Sequence, residues 1–121
     1  MSKRILVIED QEDNRRILRD LLTSVGYEIL EAVNGEEGVS RAEADRPDLI
    51  LMDIQLPGLD GYEATRRIKA NPALHQIPII AVTSYALSGD DVKAYDAGCN
   101  GYIAKPFSPR ALLAKVREFL P

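Results

Sequence analysis

The sequence predicts an α/β protein with a doubly wound, five-stranded parallel sheet of the (βα)5 type. Short apolar runs of strand length alternate five times with longer segments whose apolar residues recur at helical spacing. Some of these runs are continuous, as in Leu49-Ile50-Leu51-Met52 and Ile79-Ile80-Ala81-Val82. Such strands are buried on both faces by helices. Because 121 residues suffice for one hydrophobic core but not two, we expect one domain over residues 1–121.

Each predicted strand is followed by a predicted helix. The strands are Arg4–Ile8, Tyr27–Ala32, Leu49–Met52, Pro78–Val82 and Gly101–Ala104. The first helix is capped by Asp13 or Asn14 and ended by Gly26, and the others are about Gly35–Ala44, Tyr62–Ala70, Gly89–Ala97 and Pro109–Leu120. Asn34-Gly35 is also a frequent hairpin turn, but the apolar spacing after it favours a helix.

The predicted helices differ in how well their apolar residues anchor them. The first helix carries a full stripe: Ile17, Leu18, Leu21, Leu22 and Val25. The fourth has few anchors, chiefly Val92 and Tyr95, so we expect it to be loosely held. The fifth begins at Ser108-Pro109, a strong helix start.

Composition excludes several classes of protein. The formal net charge is −4, and the basic residues are interleaved with acids, which disfavours nucleic-acid binding. No apolar run approaches a membrane span, and the start lacks a signal-peptide cleavage site, so we expect a cytoplasmic protein without a membrane anchor. Cys99 and His75 are the sole residues of their types. A Cys/His zinc site is therefore excluded, and any metal must be bound by oxygen.

Chemically active side chains follow four of the five predicted strands. They are Glu9-Asp10, Asp53, Thr83-Ser84 and Lys105-Pro106. Ligands of open parallel sheets bind at the carboxyl ends of the strands, where the strand order reverses. Converging carboxylates repel each other unless a cation neutralises them, and Mg²⁺ suits such oxygen ligands.

These groups are the ones that phosphoryl transfer to a carboxylate requires. Asp53 can attack phosphorus to form an aspartyl phosphate, and catalysis then consists mainly of positioning and charge neutralisation. Lys105 can supply a positive charge and Thr83 a hydroxyl to the phosphoryl oxygens. Taken alone, these residues have plainer explanations, and Asp53, for example, could simply accept hydrogen bonds from its own loop. The same holds for Tyr102 on the fifth predicted strand, which could pack on the last helix.

The chain resembles the receiver domain of two-component response regulators from Ile5 through Leu120. The motifs that carry the resemblance are LVIED (6–10), LILMDIQLPGLDGYE (49–63), AVTSYA (81–86) and GYIAKPF (101–107). It implies a flavodoxin-like fold with strand order 2-1-3-4-5, which brings the first and third strands together. Within the family, the chain is most similar to single-domain cell-cycle regulators of the DivK type and to receivers of hybrid histidine kinases.

Matched position by position, the resemblance implies a role for eight residues. The magnesium ligands are Glu9, Asp10, Asp53 and the main-chain carbonyl of Gln55, and Asp53 is also the phosphoacceptor. The switch residues are Thr83 and Tyr102, and Lys105 is followed by a cis Pro106. Two positions depart from the commonest family pattern, since Glu9 replaces an aspartate and Ser84 an alanine. We also expect Tyr85 to shield the acyl phosphate from water.

We therefore expect a response regulator that receives a phosphoryl group on Asp53 from a sensor histidine kinase or a histidine phosphotransfer protein. It would signal to a downstream protein through its fourth helix, fifth strand and fifth helix, as a monomer or a phosphorylation-dependent dimer. Beyond its own phosphorylation and dephosphorylation it would not be an enzyme. The alternative is a phosphorylation-independent interaction module of the same fold.

Two other functions fit the sequence less well. A haloacid-dehalogenase-type phosphatase needs a second acid two residues after its nucleophile, where this chain has Gln55. A flavin binder needs phosphate donors after the first strand, where Asp10-Gln11-Glu12-Asp13 would repel phosphate.

Overall fold

The computed structural model describes residues 2–84 and 90–121, which have the predicted alternation of strands and helices. The strands are β1 (Arg4–Ile8), β2 (Glu28–Ala32), β3 (Leu49–Asp53), β4 (Ile79–Thr83) and β5 (Gly101–Ala104). The helices are α1 (Glu12–Ser24), α2 (Gly35–Asp45), α3 (Gly61–Ala70), α4 (Asp90–Ala97) and α5 (Pro109–Phe119). The predicted start of the fourth helix at Gly89 and the shielding residue Tyr85 lie outside the described residues.

The five strands form one parallel sheet in the order β2-β1-β3-β4-β5, which confirms the doubly wound, flavodoxin-like prediction. At the end of the central strands, Ile8 pairs with Met52 and Asp53 pairs with Val82. The strand order reverses between β1 and β3. Side chains that follow these two strands therefore meet at the carboxyl edge of the sheet.

Both faces of the sheet are buried, because successive residues of a strand point to opposite sides. In β1, Leu6 and Ile8 belong to the apolar core beneath α2, α3 and α4, whereas Ile5 and Val7 belong to the core beneath α1 and α5. This explains the continuous apolar runs in the sequence. Within the described residues, no helix combines the length and the apolar character that crossing a bilayer demands.

The prediction for the start of α1 was wrong. Gln11, not Asp13 or Asn14, is the N-cap residue, and its side chain makes no capping hydrogen bond. The helix begins early because the Glu9 carboxylate accepts a hydrogen bond from the Gln11 amide and so fixes the preceding turn.

The apolar stripe predicted for α1 is only partly buried. Leu18 and Leu22 are in the core, but Ile17 is 55% exposed. Val25, which is 40% exposed, lies beyond the last helical residue, Ser24. Gly26 follows with a φ of 99°, which agrees with its predicted role at the end of the helix.

The predicted anchors of α4 were also wrong. Val92 and Tyr95 are 59% and 51% exposed, and the residues that face the core are Ala94 and Ala97. Small side chains bury little apolar area, so α4 contributes few large contacts to the core. By contrast, Ser108 caps α5 as predicted, since its side chain accepts a hydrogen bond from the Ala111 amide.

Candidate functional site

Three carboxylates meet at the carboxyl ends of β1 and β3. One oxygen from each of Glu9, Asp10 and Asp53 lies within 4.8 Å of the other two. Glu9 and Asp53 are almost fully buried, at 2% and 5% exposure, while Asp10 is half-buried. The structure thus brings together the acidic cluster predicted from the strand ends.

Lys105 reaches this cluster from the end of β5. Its ammonium lies 3.1 Å from Oε1 of Glu9 and 3.4 Å from Oδ2 of Asp53. Burial alone would lower the pKa of Lys105, but the carboxylates of Asp53 and Glu9 outweigh burial and hold that pKa above its usual value. The Lys105–Pro106 peptide bond is cis, the geometry that the family resemblance implied.

Neighbouring backbone and side-chain groups hold Glu9 in place. The Glu9 carboxylate accepts the Gln11 amide, and the main-chain carbonyl of Glu9 accepts a hydrogen bond from Nη1 of Arg15 at 3.0 Å. Arg15 is itself paired with Glu31 on β2. These contacts connect the start of α1 to two strands and orient the loop that carries the acids.

The start of α3 packs directly against the end of β3. A Cβ added at Gly61 would collide with the carbonyl oxygen of Asp53 and with Cα of Ile54. The Gly61 amide also donates to the carbonyl of Ile54 at 3.0 Å. Glycine is required here by this close approach, and the contact restricts the main chain that follows Asp53.

The Thr83 hydroxyl is buried at the end of β4, next to this loop. It accepts a hydrogen bond of 3.2 Å from the side-chain amide of Gln55, whose main-chain amide donates to Oδ1 of Asp53 at 3.1 Å. The sequence had indicated only the carbonyl of Gln55 as a functional group. The contact between the Gln55 side chain and Thr83 depends on the Gln55 rotamer, which a sequence pattern does not predict.

Tyr102 is half-buried on β5 and packs against the core beneath α3 and α4. It does not belong to the core that contains α5, so the plainer expectation that it packs on the last helix was wrong. The ring therefore lies on the side of the sheet where the exposed Val92 and Tyr95 of α4 are found.

A cavity of about 440 Å³ opens beside the acidic cluster. Its lining combines α1, the end of β4 and the segment after β5, and consists of Glu9, Asn14, Ile17, Leu18, Ser84, Lys105, Pro106 and Phe107. Ile17, expected in the core, instead contributes an apolar wall here. Ser84, which directly follows β4, is exposed and also lines this opening.

The donor set fits a hard divalent cation. Three carboxylates face one ammonium, which leaves an excess of negative charge at a nearly buried position. All the candidate ligand atoms are oxygens, which Mg²⁺ prefers. Cys99 lies apart from this cluster in the core beside Thr65. Burial raises the pKa of its thiol, which makes it a poor nucleophile at neutral pH.

Comparison with known proteins shows the family. The model of the response regulator receiver domain matches residues 5–117. This chain belongs to that family. The polar-differentiation response regulator DivK of Brucella anthropi is 42% identical over 120 residues, which cover 99% of this chain and 98% of the relative.

Solved structures of receiver domains have the same fold. The receiver domain of the sensor histidine kinase PA1611 from Pseudomonas aeruginosa is 40% identical, with a TM-score of 0.93 and coverage of 99% and 98% of the two chains. That structure has a magnesium ion coordinated in its active-site cleft. The chemotaxis protein CheY4 of Vibrio cholerae, at 24% identity, has a TM-score of 0.93 over 98% of this chain and 99% of its own.

Proposed function

We propose that this receiver domain accepts a phosphoryl group on Asp53 from a sensor histidine kinase or a histidine phosphotransfer protein. The observation that carries the proposal is the convergence of Glu9, Asp10 and Asp53 with Lys105 in contact with the acceptor carboxylate. Glu9 and Asp53 are both nearly buried and both paired with Lys105, so the choice of Asp53 as acceptor rests on its position in the receiver-family motif.

In the proposed reaction, a carboxylate oxygen of Asp53 forms a bond to phosphorus while the bond between phosphorus and the donor nitrogen breaks. The donor imidazole keeps the electron pair and takes up a proton. Lys105 then pairs with a phosphoryl oxygen, and the Thr83 hydroxyl donates to another. Attack by water later releases inorganic phosphate and restores the Asp53 carboxylate.

Mg²⁺ is the proposed cofactor. Glu9, Asp10, Asp53 and the main-chain carbonyl of Gln55 would hold it. When bound, the ion neutralises charge on the acceptor and on the phosphoryl oxygens. Support comes from the oxygen donor set and from the magnesium ion in the similar Pseudomonas receiver.

The proposed output is a change of protein contacts, not turnover of a substrate. When Thr83 is drawn toward a phosphoryl group, the adjacent end of β4 shifts, and Tyr102 and α4 respond on the same side of the sheet. Exposed Val92 and Tyr95 then form part of the face that a downstream protein reads, together with β5 and α5. The phosphorylated chain would act through this face either as a monomer or as a phosphorylation-dependent dimer.

We further propose that residues 1–121 act as one receiver domain in the cytoplasm, where a kinase would meet them. The alternative remains an interaction module that binds partners without phosphorylation. It predicts Mg²⁺ binding without phosphoryl uptake.

Acetyl phosphate provides a test that needs no knowledge of the partner. The intact mass of the protein is measured after incubation with acetyl phosphate, with and without Mg²⁺. We expect a magnesium-dependent gain of one phosphoryl group in the wild type and none in Asp53→Asn, which keeps the shape of the side chain. No gain in the wild type would favour the phosphorylation-independent module.

A further inference from the structure

Arg15 connects the loop that carries Glu9 and Asp10 to β2, the edge strand beside β1. Its Nη1 donates to the main-chain carbonyl of Glu9 at 3.0 Å, and its Nε donates to Oε1 of Glu31 on β2 at 3.1 Å. Both bonds have a fixed direction, because a guanidinium only donates, whereas a carbonyl or an ionised carboxylate only accepts. The Arg15 side chain is 15% exposed, so both bonds are largely shielded from water.

The main chain of Glu9 is therefore held on both sides. On its amino side, the Glu9 amide donates to the carbonyl of Ala32 on β2 at 3.0 Å. On its carboxyl side, the carbonyl that Arg15 binds belongs to the peptide unit that joins Glu9 to Asp10. Because a peptide unit is planar, fixing its carbonyl also fixes the amide of Asp10. The contact thus restricts the direction in which the Asp10 side chain leaves the main chain.

We infer that Arg15 is a positioning residue, which holds the main chain between Glu9 and Asp10. It thereby keeps an oxygen of the Asp10 carboxylate within 4.8 Å of oxygens of Glu9 and Asp53, where Mg²⁺ would bind. This inference rests on the Mg²⁺ site of the proposed function. It also gives the edge strand β2, which supplies none of the proposed ligands, a part in forming the site.

The positive charge of Arg15 distinguishes positioning from a simple electrostatic effect. A positive charge near a cation site weakens cation binding, so its removal alone should raise the affinity for Mg²⁺. Loss of positioning has the opposite sign, because the carboxylates would then have to be ordered at the expense of binding free energy. A lower Mg²⁺ affinity after removal of Arg15 would therefore come from geometry and not from charge.

The test is calorimetric titration of the wild type, Arg15→Met and Arg16→Met with MgCl₂, at a temperature where each protein is fully folded. Arg16→Met is the matched control, because it removes the same charge from the next position of α1, where the arginine is 57% exposed and pairs with Asp13. Urea unfolding without Mg²⁺ is measured in parallel. A purely structural role of Arg15 would lower the free energy of unfolding but leave the Mg²⁺ affinity of the folded protein unchanged.

We expect Arg15→Met to weaken Mg²⁺ binding by about threefold to tenfold, which corresponds to the net strength of one hydrogen bond. Arg16→Met should change the affinity by less than about twofold, because its exposed charge is screened by salt. Arg15→Lys keeps the charge but replaces the planar fork by a single ammonium, so it should also weaken binding by at least about threefold. If Arg15→Met does not fold, Arg15→Lys is compared with Arg16→Lys instead.

Two results would overturn the inference: unchanged or tighter Mg²⁺ binding in Arg15→Met, or an equal loss in the Arg15 and Arg16 variants. Magnesium-dependent phosphoryl uptake by the wild type is measured on the same preparation. If the wild type takes up a phosphoryl group and Arg15→Met binds Mg²⁺ equally well, only the inference fails. If the wild type binds Mg²⁺ but takes up no phosphoryl group, the proposed function fails and the measured affinities still decide the inference. If the wild type binds no Mg²⁺, both fail.

Discussion

At the scale of single residues, Lys105 determines the charge balance of the site. Its ammonium contacts the carboxylates of Glu9 and Asp53, and these contacts raise its pKa despite partial burial. The same positive charge stands close to the place where a divalent cation would bind. Lys105 therefore stabilises the carboxylate cluster in the absence of a metal ion. Its positive charge would repel a bound cation and so weaken the affinity of the cluster for that cation.

Replacing Lys105 by Met should tighten Mg²⁺ binding to the unphosphorylated protein. Removing a unit charge a few ångströms from a divalent ion is expected to raise the affinity at least about tenfold. Calorimetric titration with MgCl₂ measures the change. The matched control is Lys115→Met, because Lys115 pairs with Glu118 on α5, away from the acids. Equal or weaker binding in Lys105→Met would show that the ammonium does not compete with the metal.

The main residues of the site could be predicted from the sequence, because each lies at the carboxyl end of a strand. That position alone brings Glu9, Asp53 and Lys105 to one edge of a parallel sheet. The side chain of Gln55 could not be predicted, since its contact with Thr83 depends on a loop conformation and a rotamer. The prediction that Ile17 belongs to the buried stripe of α1 was wrong. Helical periodicity identifies the apolar face of a helix, but it does not show whether a residue of that face is buried in the core or lines an open cavity, as Ile17 does.

At the scale of secondary structure, the connection between β3 and α3 holds the acceptor in place. Asp60 caps α3 by accepting the Glu63 amide, and Gly61 allows the helix to approach the main chain of Asp53. Gly58 supplies a turn with a φ of 73°. Each of these residues is of a type that its backbone position favours.

The variant Gly61→Ala should destabilise the protein by about 1–3 kcal/mol, because the added methyl group meets main-chain atoms that cannot move aside easily. Urea unfolding measures the loss. The Gly61→Ala substitution should also reduce phosphoryl uptake from acetyl phosphate, because the main chain that the added methyl group displaces carries Asp53. Arg66→Ala, on the exposed side of the same helix, is the control and should change stability by less than about 0.5 kcal/mol. A fully stable Gly61→Ala would contradict the close approach.

The elements themselves were predicted more reliably than their ends. Strands and helices follow from the apolar pattern, and Ser108 caps α5 because its position before Pro109 favours that geometry. The start of α1 was missed because Glu9, a residue outside the helix, fixes the preceding turn. Tertiary contacts of this kind are not visible in a local sequence pattern.

At the scale of the whole molecule, the strand order brings the residues of the candidate site together. Five strand–helix units indicate a parallel sheet, but their order was implied by the family resemblance and not by the periodicity. In the observed order, β1 and β3 are adjacent, and Glu9, Asp10 and Asp53 meet between them. The site is therefore formed only when the sheet is complete.

It follows that Mg²⁺ should stabilise the fold as a whole. A ligand that binds only the folded state adds about 2.7 kcal/mol at one hundred times its dissociation constant. The free energy of unfolding, measured in urea at increasing MgCl₂, should rise accordingly. In Asp10→Asn, which removes a negative ligand, the rise should require higher concentrations of MgCl₂. Equal stabilisation of both proteins would indicate that the ion binds elsewhere.

The central claim is that the phosphoryl group is carried by the carboxylate of Asp53. Borohydride reduces an aspartyl phosphate to homoserine, and peptide mass spectrometry then identifies the converted residue. After incubation with acetyl phosphate and Mg²⁺, we expect homoserine at position 53 and not at Glu9, Asp10 or any other acid. Conversion at another residue, or none in a protein that has gained a phosphoryl group, would contradict the account.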